Sequence, residues 1–94
     1  MIEVHAGEVI EIKAGERARV HAGGKAIVRR GGFAIVLAGG QAEVEEGGEV
    51  EVEDGGWARV HAGGKATVYP GGSATGPGEI TYIDPPTEDL APTI

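Results

Sequence analysis

Glycine falls on every eighth residue of this chain, from Gly7 through Gly15, Gly23, Gly31, Gly39, Gly47, Gly55 and Gly63 to Gly71. From Gly23 onward each is doubled by the residue that follows it. Written as an octad, the unit reads G-G-x-A-x-V-x-A, and the stretch "ARVHAGGKA" recurs unchanged at Ala18–Ala26 and Ala58–Ala66, five octads apart. Such a density of glycine excludes helix. A short fixed period sustained over most of a chain is the mark of a repeat array.

Within each octad, places four, six and eight are mostly small and apolar, while places three, five and seven are mostly polar, as in "RARVHA" and "EVEVED". Alternation with period two puts one set on a buried face and the other in water. Glycine at place one supplies the positive φ of a sharp corner, and the second glycine lets neighbouring backbones stack closely. The expected fold is all-β: a single-chain β-solenoid with a strand and a corner in each octad.

The size of one coil is read from the outward charges, because stacked strands lie about 4.8 Å apart and like charges must not meet. If three octads close a coil, residues 24 apart stack. Lys25 then lies beside Glu49, Arg29 beside Glu53, Arg19 beside Glu43 and His21 beside Glu45. Val9, Phe33 and Trp57 form one apolar column. Two octads per coil would instead set Lys13 beside Arg29. The expectation is a three-sided β-helix over residues 1–77, roughly three coils and about 15 Å tall. In residues 78–94, "EITYID" supplies a capping strand across the open end, and an extended Pro-rich tail docks through Tyr82, Ile83, Pro85, Pro86, Leu90 and Ile94.

From Ile2 to about Gly72 the octads resemble those of phage β-helical needles and tail spikes, and the "GSATVxA"-type octad arrays of actinobacterial and phage proteins. The resemblance implies a β-helical architecture and a structural role. In an intertwined three-chain needle, Gln41, Glu43 and Glu45 would lie beside Glu49, Glu51 and Glu53. A coil closed within one chain avoids that pairing and is the expected arrangement.

Composition bounds the function. The 94 residues carry a net charge of −7 and no cysteine. The acidic balance argues against nucleic acid as a partner, and the lack of thiols against a disulfide scaffold. No apolar run is long enough to span a membrane, and the alternating acidic N-terminus is unlike a signal peptide, so a soluble chain is expected. His5, His21 and His61 all occupy place seven and point outward on different faces of a three-sided coil, so no metal site is expected. "AGGKA" lacks the first glycine of a phosphate-binding loop and has alanine where serine or threonine belongs. The run of Glu43, Glu45, Glu46, Glu49, Glu51, Glu53 and Asp54 reads as a solvated face. Neither a catalytic residue nor a cofactor is expected, and the chain reads as not an enzyme.

The contact surface is expected at Val9, Phe33, Ile35, Leu37 and Trp57, because "FAIVLA" is the octad whose outward residues are all apolar. The reading is a non-enzymatic structural attachment protein: a phage virion accessory, decorating the capsid or belonging to the tail. It would assemble as a homo-oligomer, preferably a trimer, and bind a capsid or tail protein. Two alternatives are a soluble acidic inhibitor or mimic acting in the host cytoplasm and a repeat module of a secreted bacterial surface protein.

Overall fold

A computed structural model describes residues 1–83. Eleven strands follow one another: β1 (Ile2–Val4), β2 (Val9–Ile12), β3 (Arg17–Val20), β4 (Lys25–Val28), β5 (Phe33–Val36), β6 (Gln41–Val44), β7 (Glu49–Val52), β8 (Trp57–Val60), β9 (Lys65–Val68), β10 (Ser73–Thr75) and β11 (Glu79–Tyr82). They form two parallel sheets, one of six strands in the order β1-β3-β5-β7-β9-β11 and one of five in the order β2-β4-β6-β8-β10. Successive strands alternate between the sheets, so two octads make one coil. The chain is a two-sided β-solenoid of five coils and one further strand.

The register is unambiguous. Ile2 stands beside Ala18, Arg17 beside Phe33, Lys25 beside Gln41 and Val44 beside Val60, each 16 residues apart. The three-sided coil expected from the charges is therefore not formed, nor are the pairs Lys25–Glu49 and Arg29–Glu53 or the column Val9–Phe33–Trp57. The stack that argued against this register does occur, with Lys13 below Arg29, but Arg29 turns aside. Its Nε and NH2 reach the Glu11 carboxylate at 2.8 and 2.6 Å, and its NH1 lies 3.8 Å from Glu45. A pair of exposed charges is worth a few tenths of a kcal/mol to about 1 kcal/mol. The core decides instead. Two facing sheets about 10 Å apart are filled by side chains the size of Ala and Val, whereas a triangular coil would leave a void between them.

The inward set also differs from expectation. Places four and six are buried, as in Ala18, Val20, Ala26, Val28, Ala34 and Val36, and no polar residue is buried among the described residues. Place eight is exposed: Ala6, Ala14, Ala22 and Ala38 lie at the corners, and the second glycines Gly24, Gly32, Gly40 and Gly48 are buried instead. Each corner is a four-residue turn that closes on itself, with Glu8 N–H donating to His5 O at 3.0 Å and Gly24 N–H to His21 O at 2.9 Å. The third turn residue is a glycine with φ near +80°, and no other residue type has positive φ among those described. That combination is a type II turn. Alanine at place eight fits because the next coil's glycine lies on its methyl group: a Cβ on Gly39 would be 2.9 Å from the Ala22 Cβ.

The first coil departs from the repeat for a physical reason. In later coils the place-seven N–H bonds to the coil below, as His21 does to Val4 O and Arg29 to Ile12 O, both at 2.8 Å. The corresponding groups of His5 and Lys13 have no such coil in this structure. They donate instead to the carboxylates of Glu8 and Glu16, at 2.8 and 2.7 Å. Those glutamates stand where later octads have the second glycine. Ile2 and Ile10 replace the place-four alanine in the same coil and pack against the end of the core.

At the other end β11 does not cross the open end. It continues the six-stranded sheet, with Glu79 beside Lys65, two residues short of the regular register. The shortening is made by Gly76, Pro77 and Gly78, whose backbone runs so close over Val60 that a Cβ at either glycine would overlap it. Side chains do the capping. Ile80 packs on the core, and the Tyr82 hydroxyl donates to Ala74 O at 3.2 Å across to the opposite sheet.

Candidate interaction face

Each strand presents three outward residues, at places three, five and seven, so each sheet shows a ladder of three-residue rungs. On the six-stranded sheet the rungs read Met1-Glu3-His5, Arg17-Arg19-His21, Phe33-Ile35-Leu37, Glu49-Glu51-Glu53, Lys65-Thr67-Tyr69 and Glu79-Thr81-Ile83. A wholly apolar rung thus lies between a basic rung and a wholly acidic one. Phe33, Ile35 and Leu37 are half-buried, because long neighbours lie along them. The Arg17 guanidinium carbon sits 5.8 Å from the centre of the Phe33 ring, a cation–π arrangement.

The basic rung is anchored from below. Arg19 NH1 is 3.9 Å from Glu3, the His21 imidazole hydrogen-bonds the same carboxylate, and the His5 and His21 rings stack with centroids 4.9 Å apart. The hydrogen bond from His21, opposed by desolvation and helped by the Arg19 charge, holds the Glu3 carboxyl below its ordinary value. The acidic rung has no such anchor. Among the described residues, Glu49, Glu51 and Glu53 have no cationic group within 4.0 Å.

The five-stranded sheet is arranged differently. Its rungs read Val9-Glu11-Lys13, Lys25-Ile27-Arg29, Gln41-Glu43-Glu45 and Trp57-Arg59-His61, and β10 adds Ser73 and Thr75. Charges there pair within the sheet, through Arg29 and through His61, whose Nε2 is 3.5 Å from Glu43. Glu43, Glu45 and His61 offer ligand atoms within 4.8 Å of one another, a convergence missed in the sequence because it depends on the 16-residue register. Their side chains are substantially exposed, and Arg29 already shares the charge of Glu45, so the group is an ion-pair network.

The expected contact surface is therefore split. Phe33, Ile35 and Leu37 stand together on the six-stranded sheet. Val9 and Trp57 stand on the opposite face, separated from each other by β4 and β6. Val9 is 63% exposed and Trp57 37%. Of the expected docking residues, Tyr82 belongs to the end cap, and Ile83 extends it by donating its N–H to Val68 O at 2.8 Å. Pro85, Pro86, Leu90 and Ile94 lie outside the described residues.

Neither a protein-family model nor a curated protein matches this sequence. Among solved structures the chain is similar to a TibA fragment hyper-glycosylated by TibC catalysis, with a TM-score of 0.59 and 33% identity. The alignment covers 78% of this chain and 31% of that one, so the chain spans about a third of the solved fragment. The shared architecture is a repeat β-solenoid. Glycine corners and an Ala/Val interior are what that fold requires, so identity of this kind speaks first to architecture.

Proposed function

We propose that this chain is a non-enzymatic structural attachment protein working through protein–protein contacts, in the role of a virion accessory that decorates a capsid or belongs to a tail. The observation that carries the reading is the six-stranded face, where an apolar rung lies between unlike charged rungs on a regular, closely stacked scaffold. Contiguous apolar surface on such a scaffold marks a contact site. A capsid or tail protein is the proposed larger partner, with Trp57 and Val9 on the opposite face available to it. The likeness to phage needle and tail-spike octads supports the same role.

A second reading, a repeat module of a bacterial surface protein, is favoured by the TibA likeness, in which the same fold belongs to a chain about three times as long. Sugar decoration does not carry over with the fold. Between Met1 and Ala66 this sequence has no serine, threonine or asparagine, so the first four coils offer no acceptor for O- or N-linked glycans. Gold-labelled antibody against the chain, applied to particles and cells of the source organism, separates the two readings. Label on virions is expected, label on the cell envelope favours the second reading, and label confined to the cell interior overturns both.

A further inference from the structure

We propose that the six-stranded face binds a second copy of this chain, the two related by a two-fold axis that runs along the strand direction through the Phe33-Ile35-Leu37 rung. The proposal rests on the reading of this face as a contact surface and names what covers it. A rotation about that axis keeps the apolar rung on itself and exchanges the rungs on either side. Phe33, Ile35 and Leu37 then meet their own counterparts. Arg17, Arg19 and His21 of one copy lie over Glu49, Glu51 and Glu53 of the other, and the reverse. One rung further out, Lys65, Thr67 and Tyr69 oppose Met1, Glu3 and His5. On the two rungs that flank the apolar one, no like charges meet.

The charge order selects this axis over its rivals. Turning the second copy about the solenoid axis would set arginine over arginine and glutamate over glutamate. The five-stranded face cannot pair with itself about its central rung, because Gln41-Glu43-Glu45 would lie on another Glu43 and Glu45. An isologous dimer needs a self-complementary patch, and the six-stranded face offers one whose central rung is wholly apolar. The acidic rung, with no cationic group of its own chain within 4.0 Å among the described residues, gains cations in the second copy. The trimer expected earlier rested on a three-sided coil with one apolar column, and neither is present.

The five rungs that overlap in this pairing, about 4.8 Å apart and each some five residues long at about 3.3 Å, describe a contact of roughly 400 Å². A standard stable interface buries about 800 Å² per partner. The dimer is therefore weak and reversible, strengthened at low salt and weakened at high salt.

Sedimentation of the full chain from micromolar to millimolar concentration tests this, with circular dichroism confirming that each variant remains folded. Arg19→Glu and Glu51→Arg should each weaken the dimer by at least about tenfold, and the double variant should regain most of the loss. Cross-linking gives a second arm, made clean by the absence of native cysteine. Under mild oxidation Ile35→Cys should form a disulfide-linked dimer, while Trp57→Cys, on the other face, should stay monomeric. The proposal is overturned by a monomer at millimolar concentration and low salt, by a trimer, by a double variant no better than either single, or by equal cross-linking at both positions. A monomer that still labels virions would sink the dimer and leave the attachment role standing.

Discussion

Gly40 sits where the coil below leaves no room for a side chain. A Cβ there would lie 2.8 Å from the Val20 carbonyl oxygen and 3.0 Å from a Val20 methyl. Gly40→Ala must push two coils apart, and a loss of about 2 kcal/mol is expected, read from the midpoint of denaturant unfolding. Glu8 occupies the same place in the first coil, where its carboxylate accepts the His5 N–H. Glu8→Gly brings the sequence closer to the repeat consensus, yet it should cost about 1 kcal/mol, because that edge N–H loses its protein acceptor and the corner gains backbone freedom. A consensus change that stabilised the protein would refute this account of the first coil.

The strands themselves were legible in the sequence: alternation fixed their faces, and the glycine period fixed their corners. What the residues did not reveal was which strands stack. Outward charges gave a 24-residue spacing because Lys13 and Arg29 looked incompatible, yet a long guanidinium side chain avoids its neighbour by turning to Glu11. Volume carried the better signal, since the Ala and Val inward on β3 to β9 fit a flat core. The Phe33-Ile35-Leu37 rung was legible because it belongs to one octad, whereas its supposed union with Val9 and Trp57 depended on coil size and failed with it. The 16-residue register has its own test. Glu43 stands beside Arg59 on adjacent strands. Arg59→Glu should lower stability by roughly 0.2–1 kcal/mol, and adding Glu43→Arg should restore it in thermal melts. Compensation by a charge at Ile35, 24 residues away, would contradict the observed stacking.

For the whole molecule the relevant fact is that the octads from β3 to β9 meet their neighbours in the same way, each pairing 16 residues apart. Removing residues 33–48, one complete coil, should leave a folded, shorter solenoid in which Arg17, Arg19 and His21 stack directly on Glu49, Glu51 and Glu53. Removing residues 41–48 alone should also leave β-rich circular dichroism. It would, however, move the acidic rung to the opposite sheet and bring Trp57, Arg59 and His61 above Phe33, so sedimentation should show a monomer. Loss of folding in both deletions would mean that the octads are not interchangeable. The two copies of "ARVHAGGKA" already record that interchangeability. The first begins on β3 in the six-stranded sheet and the second on β8 in the five-stranded one, so identical words are printed on opposite sides of the rod. A gene of this kind is a tape without a front or a back. Copying slippage by an even number of octads lengthens the product, and slippage by an odd number turns over everything downstream, so the parity of one replication error decides whether a lineage gains reach or exchanges the surface it shows.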